Sequence, residues 1–279
     1  MHYLGQTVVD ISRDFLDKNG ASRYQNIEVS LPDFTSTPFD VKTQSNFVET
    51  SKEMLSRLSI CSQKGLVERF DSSIGKNTVL SPYGGKTYRT ETEGMVALIP
   101  VLGKETTTCS IMAYGFNPNI SSWSPYHGSI YSIVESVSKI VAMGGNYHTI
   151  RFSFQEFFEK LLNNPTKWGK PYAALLGAYR VQEELKLPSI GGKDSMSGTF
   201  EDIDVPPTLV SFAITSGDVN NIVTPELKGA NHSLIEVSLP KDKFLVFDFD
   251  ALKVSFDKVM ELIKEKKVYS AYTVKEGGV

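Results

Sequence analysis

The chain has 279 residues, 41% of them hydrophobic and 22% charged, with a formal net charge of −3. That length suits one large or two medium domains, and the composition is that of a soluble globular protein. The small negative charge argues against a polyanion-binding surface, so neither nucleic acid nor a membrane is expected as a partner.

No apolar stretch reaches transmembrane length, and the N-terminus lacks the basic-then-apolar pattern of a signal peptide. Cys61 and Cys109 have neither metal-ligand nor disulfide-framework spacing, which fits a reducing cytoplasm. Residues 1–20 place Leu4, Val8, Ile11 and Phe15 at helical spacing and predict a short amphipathic helix. Residues 21–45, with Pro32 and Pro38, read as a connector, and 47–58 as a helix. Tyr83-Gly84-Gly85-Lys86 predicts a turn, and residues 95–101 and 108–114 predict strands. Just before the first of these stand Glu91 and Glu93, either solvent-facing or ligands. Asp71 is either a turn former or a ligand.

Residues 126–143 carry the clearest helical pattern, through Ile130, Ile133, Val134, Val137, Ile140 and Val141, with Gly144-Gly145 as the stop. Glu135 and Lys139, four apart, share a helix face. They form a surface ion pair, or Glu135 reaches a metal. Residues 148–154 predict a strand, 155–162 a helix broken at Asn163-Asn164-Pro165, and 172–185 a long helix. A core strand follows Pro206-Pro207 up to Ile214. Beyond a polar boundary at 216–232 come expected strands at 233–239, 244–247 and 268–274, and a helix around Phe256, Val259, Met260 and Ile263. That last unit reads as cut short.

The long helix leads into Ile190-Gly191-Gly192-Lys193-Asp194-Ser195-Met196-Ser197. Adjacent glycines let a backbone approach a ligand, and successive amides can form an anion-binding nest. Lys193 brings a cation, Asp194 a hard oxygen ligand, and Ser195 and Ser197 hydroxyls, a set suited to a nucleotide phosphate and its magnesium. The same residues also make an ordinary polar loop. The pattern is not a Walker A loop, because aspartate follows Lys193.

Taken together, residues 67–79, 130–146, 153–162, 168–178, 190–210 and 271–278 resemble the phosphoribosylformylglycinamidine synthase family. Gly191-Gly192-Lys193-Asp194-Ser195-Met196-Ser197-Gly198-Thr199-Phe200 is the most specific part, with Val205-Pro206-Pro207-Thr208-Leu209-Val210 after it. The resemblance implies an α/β fold like the N-terminal domain of aminoimidazole ribonucleotide synthetase, with a barrel-forming sheet flanked by helices. It implies a linker over residues 1–55, the second such synthetase-like unit of a longer enzyme over 56–217, and the start of a C-terminal α/β domain over 218–279.

The implied reaction turns formylglycinamide ribonucleotide, ATP and glutamine into formylglycinamidine ribonucleotide, ADP, phosphate and glutamate. ATP activates the amide oxygen, and ammonia then displaces phosphate. Neither cysteine suits the glutaminase step, so the chain alone is expected to be inactive. Its expected partners are a first synthetase-like copy, a glutaminase domain, or a second copy of itself that shares the barrel. The nucleotide, ATP or ADP, is expected at Gly191, Gly192, Lys193, Ser195 and Ser197, and magnesium at Glu93, Glu135 and Asp194. An alternative is a non-catalytic nucleotide-binding or scaffold unit of the same enzyme. Selenophosphate synthetase and thiamin-phosphate kinase are more distant readings, since their nucleotide motifs near the N-terminus are missing here.

Three positions depart from relatives. Lys139 stands where long forms of the family have a metal-binding asparagine. An ammonium only donates and cannot ligate magnesium. In the metal's place it would pair with Glu135 and Asp194. Ser72 follows Asp71 where many relatives have histidine, and Thr273-Val274-Lys275-Glu276-Gly277-Gly278 differs from a His-Asp…Ser-Asp-Gly-Gly pattern.

Overall fold

Six strands form the central sheet: β1 (Thr78–Leu80), β2 (Met95–Leu98), β3 (Thr108–Gly115), β4 (Arg151–Phe157), β5 (Ser189–Lys193) and β6 (Thr208–Asp218), in the order β1-β2-β3-β6-β4-β5. All neighbours are antiparallel except β4 and β5, which run parallel. The longer helices are α1 (Phe47–Ser56), α2 (Pro118–Trp123), α3 (Pro125–Ala142), α4 (Pro165–Leu185) and α5 (Phe249–Lys264). The structure, a computed structural model, describes residues 1–17, 24–40, 46–69 and 77–276. The expectations for Asp71, Ser72, Gly277 and Gly278 lie outside them.

Alternation along β3 and β6 sorts the residues onto two faces. Cys109, Ile111, Ala113, Leu209, Ser211 and Ala213 are buried beneath α3. The opposite face presents Met95, Tyr114, Phe212 and Ile214, each more than a third exposed. Among the described residues the sheet is open rather than closed into a barrel.

α2, α3 and α4 each begin with a capping side chain followed by proline at the first turn: Asn117-Pro118, Ser124-Pro125 and Asn164-Pro165. The cap oxygen takes otherwise orphaned amides, and proline there loses no needed donor. α3 ends at Gly144, whose φ of +91° suits a residue without Cβ. Its approach to the sheet is close. A Cβ on Gly115 would lie 2.0 Å from the Ser132 carbonyl oxygen, and Ser136 Oγ is 2.9 Å from Ser211 Oγ.

One buried cluster runs from Leu80 and Val96 through α3 and α4 to Val246, Phe249, Leu252 and Phe256, so residues on both sides of 217/218 share a core. The connector is also tied down. Trp123 Nε1 donates to the Asp33 carbonyl at 2.8 Å, and Lys241 Nζ sits 4.7–5.3 Å from the rings of Phe39, Tyr131 and Phe247. Among the described residues, no helix is long and apolar enough to cross a membrane.

Several expected elements differ. The N-terminus is a hairpin, His2–Tyr3 against Gln6–Thr7, with one helical turn at Arg13–Asp17, because Leu4 and Gly5 take positive φ. The helix expected at 155–162 is absent. β4 runs to Phe157, and the chain stays extended because Ser195 N donates to Glu156 O and Phe158 N to Ser195 O. Asn164-Pro165 starts α4 seven residues before the expected Tyr172. The strands expected at 244–247 and 268–274 are reduced to the bridges Lys241–Phe247 and Thr224–Ser270, and 233–239 has no partner strand.

Candidate functional site

The two glycines and Lys193 lie in an edge strand, and an irregular segment follows from Asp194 to Gly198. Gly191, Gly192 and Lys193 pair with Ser153, Phe154 and Gln155. A Cβ on Gly192 would lie 2.1 Å from the Phe154 carbonyl oxygen, so strand packing alone demands glycine there. Gly191 has φ +144° and open space where a Cβ would stand. Lys193 and Asp194 are exposed, and Ser195 Oγ lies 2.8 Å from Ser197 Oγ. Beside them Glu156 is half-buried. Burial and then the charge of Asp194 push its carboxyl up to about 7.

A second group gathers at the far end of β3. Lys139 Nζ lies 2.6 Å from Glu135 Oε1 and donates to the Tyr114 carbonyl oxygen at 2.8 Å. Its side chain is 5% exposed and that of Glu135 18%. Glu93, just before β2, has a side chain only 1% exposed. Glu93 Oε2 accepts the Thr273 amide at 2.8 Å, and Oε1 faces Lys275 Nζ at 3.5 Å. Burial disfavours the Lys275 charge, but Glu93, Tyr272 and Glu135 outweigh it and raise the ammonium's pKa. Burial and the charges of Glu91 and Glu135 raise that of Tyr114.

The register separates the two groups. Gly115, beneath Glu135, lies in one row with Ser211, Phe154 and Gly192. Three strand spacings therefore part Gly115 from Gly192, about 14 Å of sheet. The residues expected to hold magnesium fall into these two groups. Glu93 and Glu135 share one neighbourhood through Lys275, whereas Asp194 neighbours Glu156 at the opposite edge. Lys139 pairs with Glu135, as the ammonium reading requires, but its partners do not include Asp194. Among the described residues, no three His, Cys, Asp or Glu side chains stand close enough to hold a metal. The two buried carboxylates each face an ammonium instead, and this donor set does not fit magnesium.

Sequence reasoning gave no role to Lys275, Glu276 or Glu156. Lys275 meets Glu93 across 182 positions, a separation no local pattern reveals. Cys109 is buried, and burial followed by the charge of Asp218 raises its thiol pKa, the opposite of an activated nucleophile.

No family model matches the chain. The chain is 21% identical over 250 residues to phosphoribosylformylglycinamidine synthase subunit PurL of Thermoplasma acidophilum, a match covering 87% of this chain and 31% of that protein. It is 24% identical over 269 residues to the Thermoplasma volcanium subunit, covering 92% and 33%. The chain thus spans about a third of the length of the curated relatives it matches. Among solved structures, Thermotoga maritima PurL complexed with ATP aligns at a TM-score of 0.57 with 15% identity, over 81% of this chain and 32% of that one. The same protein complexed with FGAR aligns at 0.59 with 15% identity, over 95% and 36%. In sequence and in α/β fold, the chain resembles about one third of a phosphoribosylformylglycinamidine synthase PurL subunit.

Proposed function

We propose that the chain works as part of a phosphoribosylformylglycinamidine synthase, in the ATP- and glutamine-dependent formation of formylglycinamidine ribonucleotide in the cytoplasm. The observation that carries this reading is similarity to PurL subunits along 87–92% of the chain, with a matching fold. The proposal includes a linker over 1–55, a synthetase-like unit over 56–217 and the start of a following unit from 218. Ammonia comes from a glutaminase partner, because neither Cys61 nor Cys109 suits the task.

In this reading the edge strand and its extension, Gly191, Gly192, Lys193, Ser195 and Ser197, face a nucleotide, with Lys193 and the two hydroxyls toward phosphate. The apolar face carrying Tyr114, Phe212 and Ile214 packs against a like sheet, from a first synthetase-like copy or a second copy of this chain, and so completes a barrel. A scaffold role is the second reading. It is favoured by Lys139, whose ammonium already satisfies Glu135, and by Gly192, which strand packing explains without a ligand.

A chimera tests the first reading. The matching third of a PurL subunit is replaced by this chain in a purine-auxotrophic host. Growth without added purine supports the proposal, and failure to grow despite a folded, soluble chimera counts against it. The scaffold reading is separated by titrating a fluorescent ADP analogue. Binding by the wild type that Lys193→Met weakens favours a nucleotide site, and equal or absent binding in both favours a scaffold.

A further inference from the structure

Four mostly buried charges meet where β3 ends, and they cancel. Glu135 and Glu93 supply two negative charges, and Lys139 and Lys275 two positive ones. Each is committed. Lys139 donates to Glu135 and to the Tyr114 carbonyl, and its Nζ stands 4.5 Å from the Tyr114 ring centre. Glu93 holds the Thr273 amide with one oxygen and faces Lys275 with the other. Lys275 Nζ also lies 4.7 Å from the Tyr272 ring centre. Next along the chain, Glu276 accepts from Asn119 Nδ2 at 3.4 Å and pairs with Arg57, the residue after α1, at 3.5 Å.

Lys139 and Lys275 both have side chains that are mostly buried, as does each carboxylate. A divalent cation entering between Glu93 and Glu135 would meet two ammonium ions with little water to screen them. Removing an ammonium to make room would instead strand a buried carboxylate or empty a packed position. The same contacts bind the end of the described chain. Glu93, Asn119 and Arg57 come from three separate segments, and all hold residues 273–276.

We propose that this centre is a metal-excluding ionic fastener, in which Lys139 and Lys275 supply the positive charge a divalent cation would bring, and Glu93 holds Thr273 and Lys275 against the sheet. The inference stands apart from the enzyme reading, since it needs neither nucleotide nor partner domain.

Manganese, visible by electron paramagnetic resonance, is the probe for the full chain. The expected result is that wild-type protein leaves the free-ion signal undiminished. Stoichiometric signal loss that Glu135→Gln abolishes overturns the proposal. Signal loss that Glu135→Gln leaves intact places the ion elsewhere and agrees with it. Fastening is read separately by chymotrypsin cleavage after Tyr272. Lys275→Met is expected to speed that cleavage about tenfold, with Lys267→Met as the unchanged control. Equal rates for Lys275→Met and wild type overturn the fastening role.

Discussion

Gly192 and Phe154 face each other so closely across the parallel β4–β5 pair that a single added methyl group would lie 2.1 Å from the Phe154 carbonyl oxygen. No rotamer relieves that contact, because backbone occupies the space. Gly192→Ala is therefore expected to lower stability by about 2–3 kcal/mol in urea denaturation. Gly191→Ala meets open space and incurs only the strain of holding alanine at a φ of +144°, a loss of about 1 kcal/mol.

Removing Lys139 leaves Glu135 charged and mostly buried. Lys139→Met should cost about 3 kcal/mol, because breaking one side of a buried pair strands the other. The double variant Glu135→Gln/Lys139→Met should regain most of that loss, since no unpaired charge remains. Thermal and denaturant unfolding of the three proteins measures the coupling. A double variant no more stable than Lys139→Met would contradict the pairing.

Glu156 gives stability a pH dependence of definite sign. Its carboxyl rises from 4.5 to about 7 on folding. Between those values the folded protein keeps a proton that the unfolded chain has released, so this group's contribution falls as pH rises. Glu156→Gln removes the effect. At pH 8 the variant should be more stable than wild type by about 1 kcal/mol, after discounting for solvent access to this half-buried group. Below about pH 4 the two should unfold alike.

The open sheet face predicts association. Phe212 and Ile214 are 40% and 37% exposed on a surface made of strand side chains. An isologous pair of chains would cover it. Light scattering is expected to show wild-type dimers at high concentration and Ile214→Glu monomers. A wild type that stays monomeric throughout would remove this face as a contact.

α3 was legible because its apolar spacing is regular and Gly144 stops it. The edges of the molecule were not. Asn164-Pro165 looks like a break when read from the preceding residues and like a capped start when read from those that follow. Only the second reading satisfies the Thr166 and Lys167 amides, which the Asn164 side chain accepts. Residues 155–162, with Phe157, Phe158, Leu161 and Leu162, carry enough apolar character for either a helix or a strand. What decides is β6 on one side and the Ser195 backbone on the other, at long sequence distance. The charged centre was half legible. Glu135 and Lys139 announce their pairing by being four apart, whereas Lys275 reaches Glu93 only through the fold.

The absence of a side chain at Gly115 lets α3 rest directly on the backbone of β3. Dissolved salt cannot loosen contacts of that kind. It can weaken the outer pair, where the Lys275 side chain is 30% exposed, before the inner one, where that of Lys139 is 5% exposed. Rising ionic strength should thus free residues 273–276 while the helix beneath them stays seated.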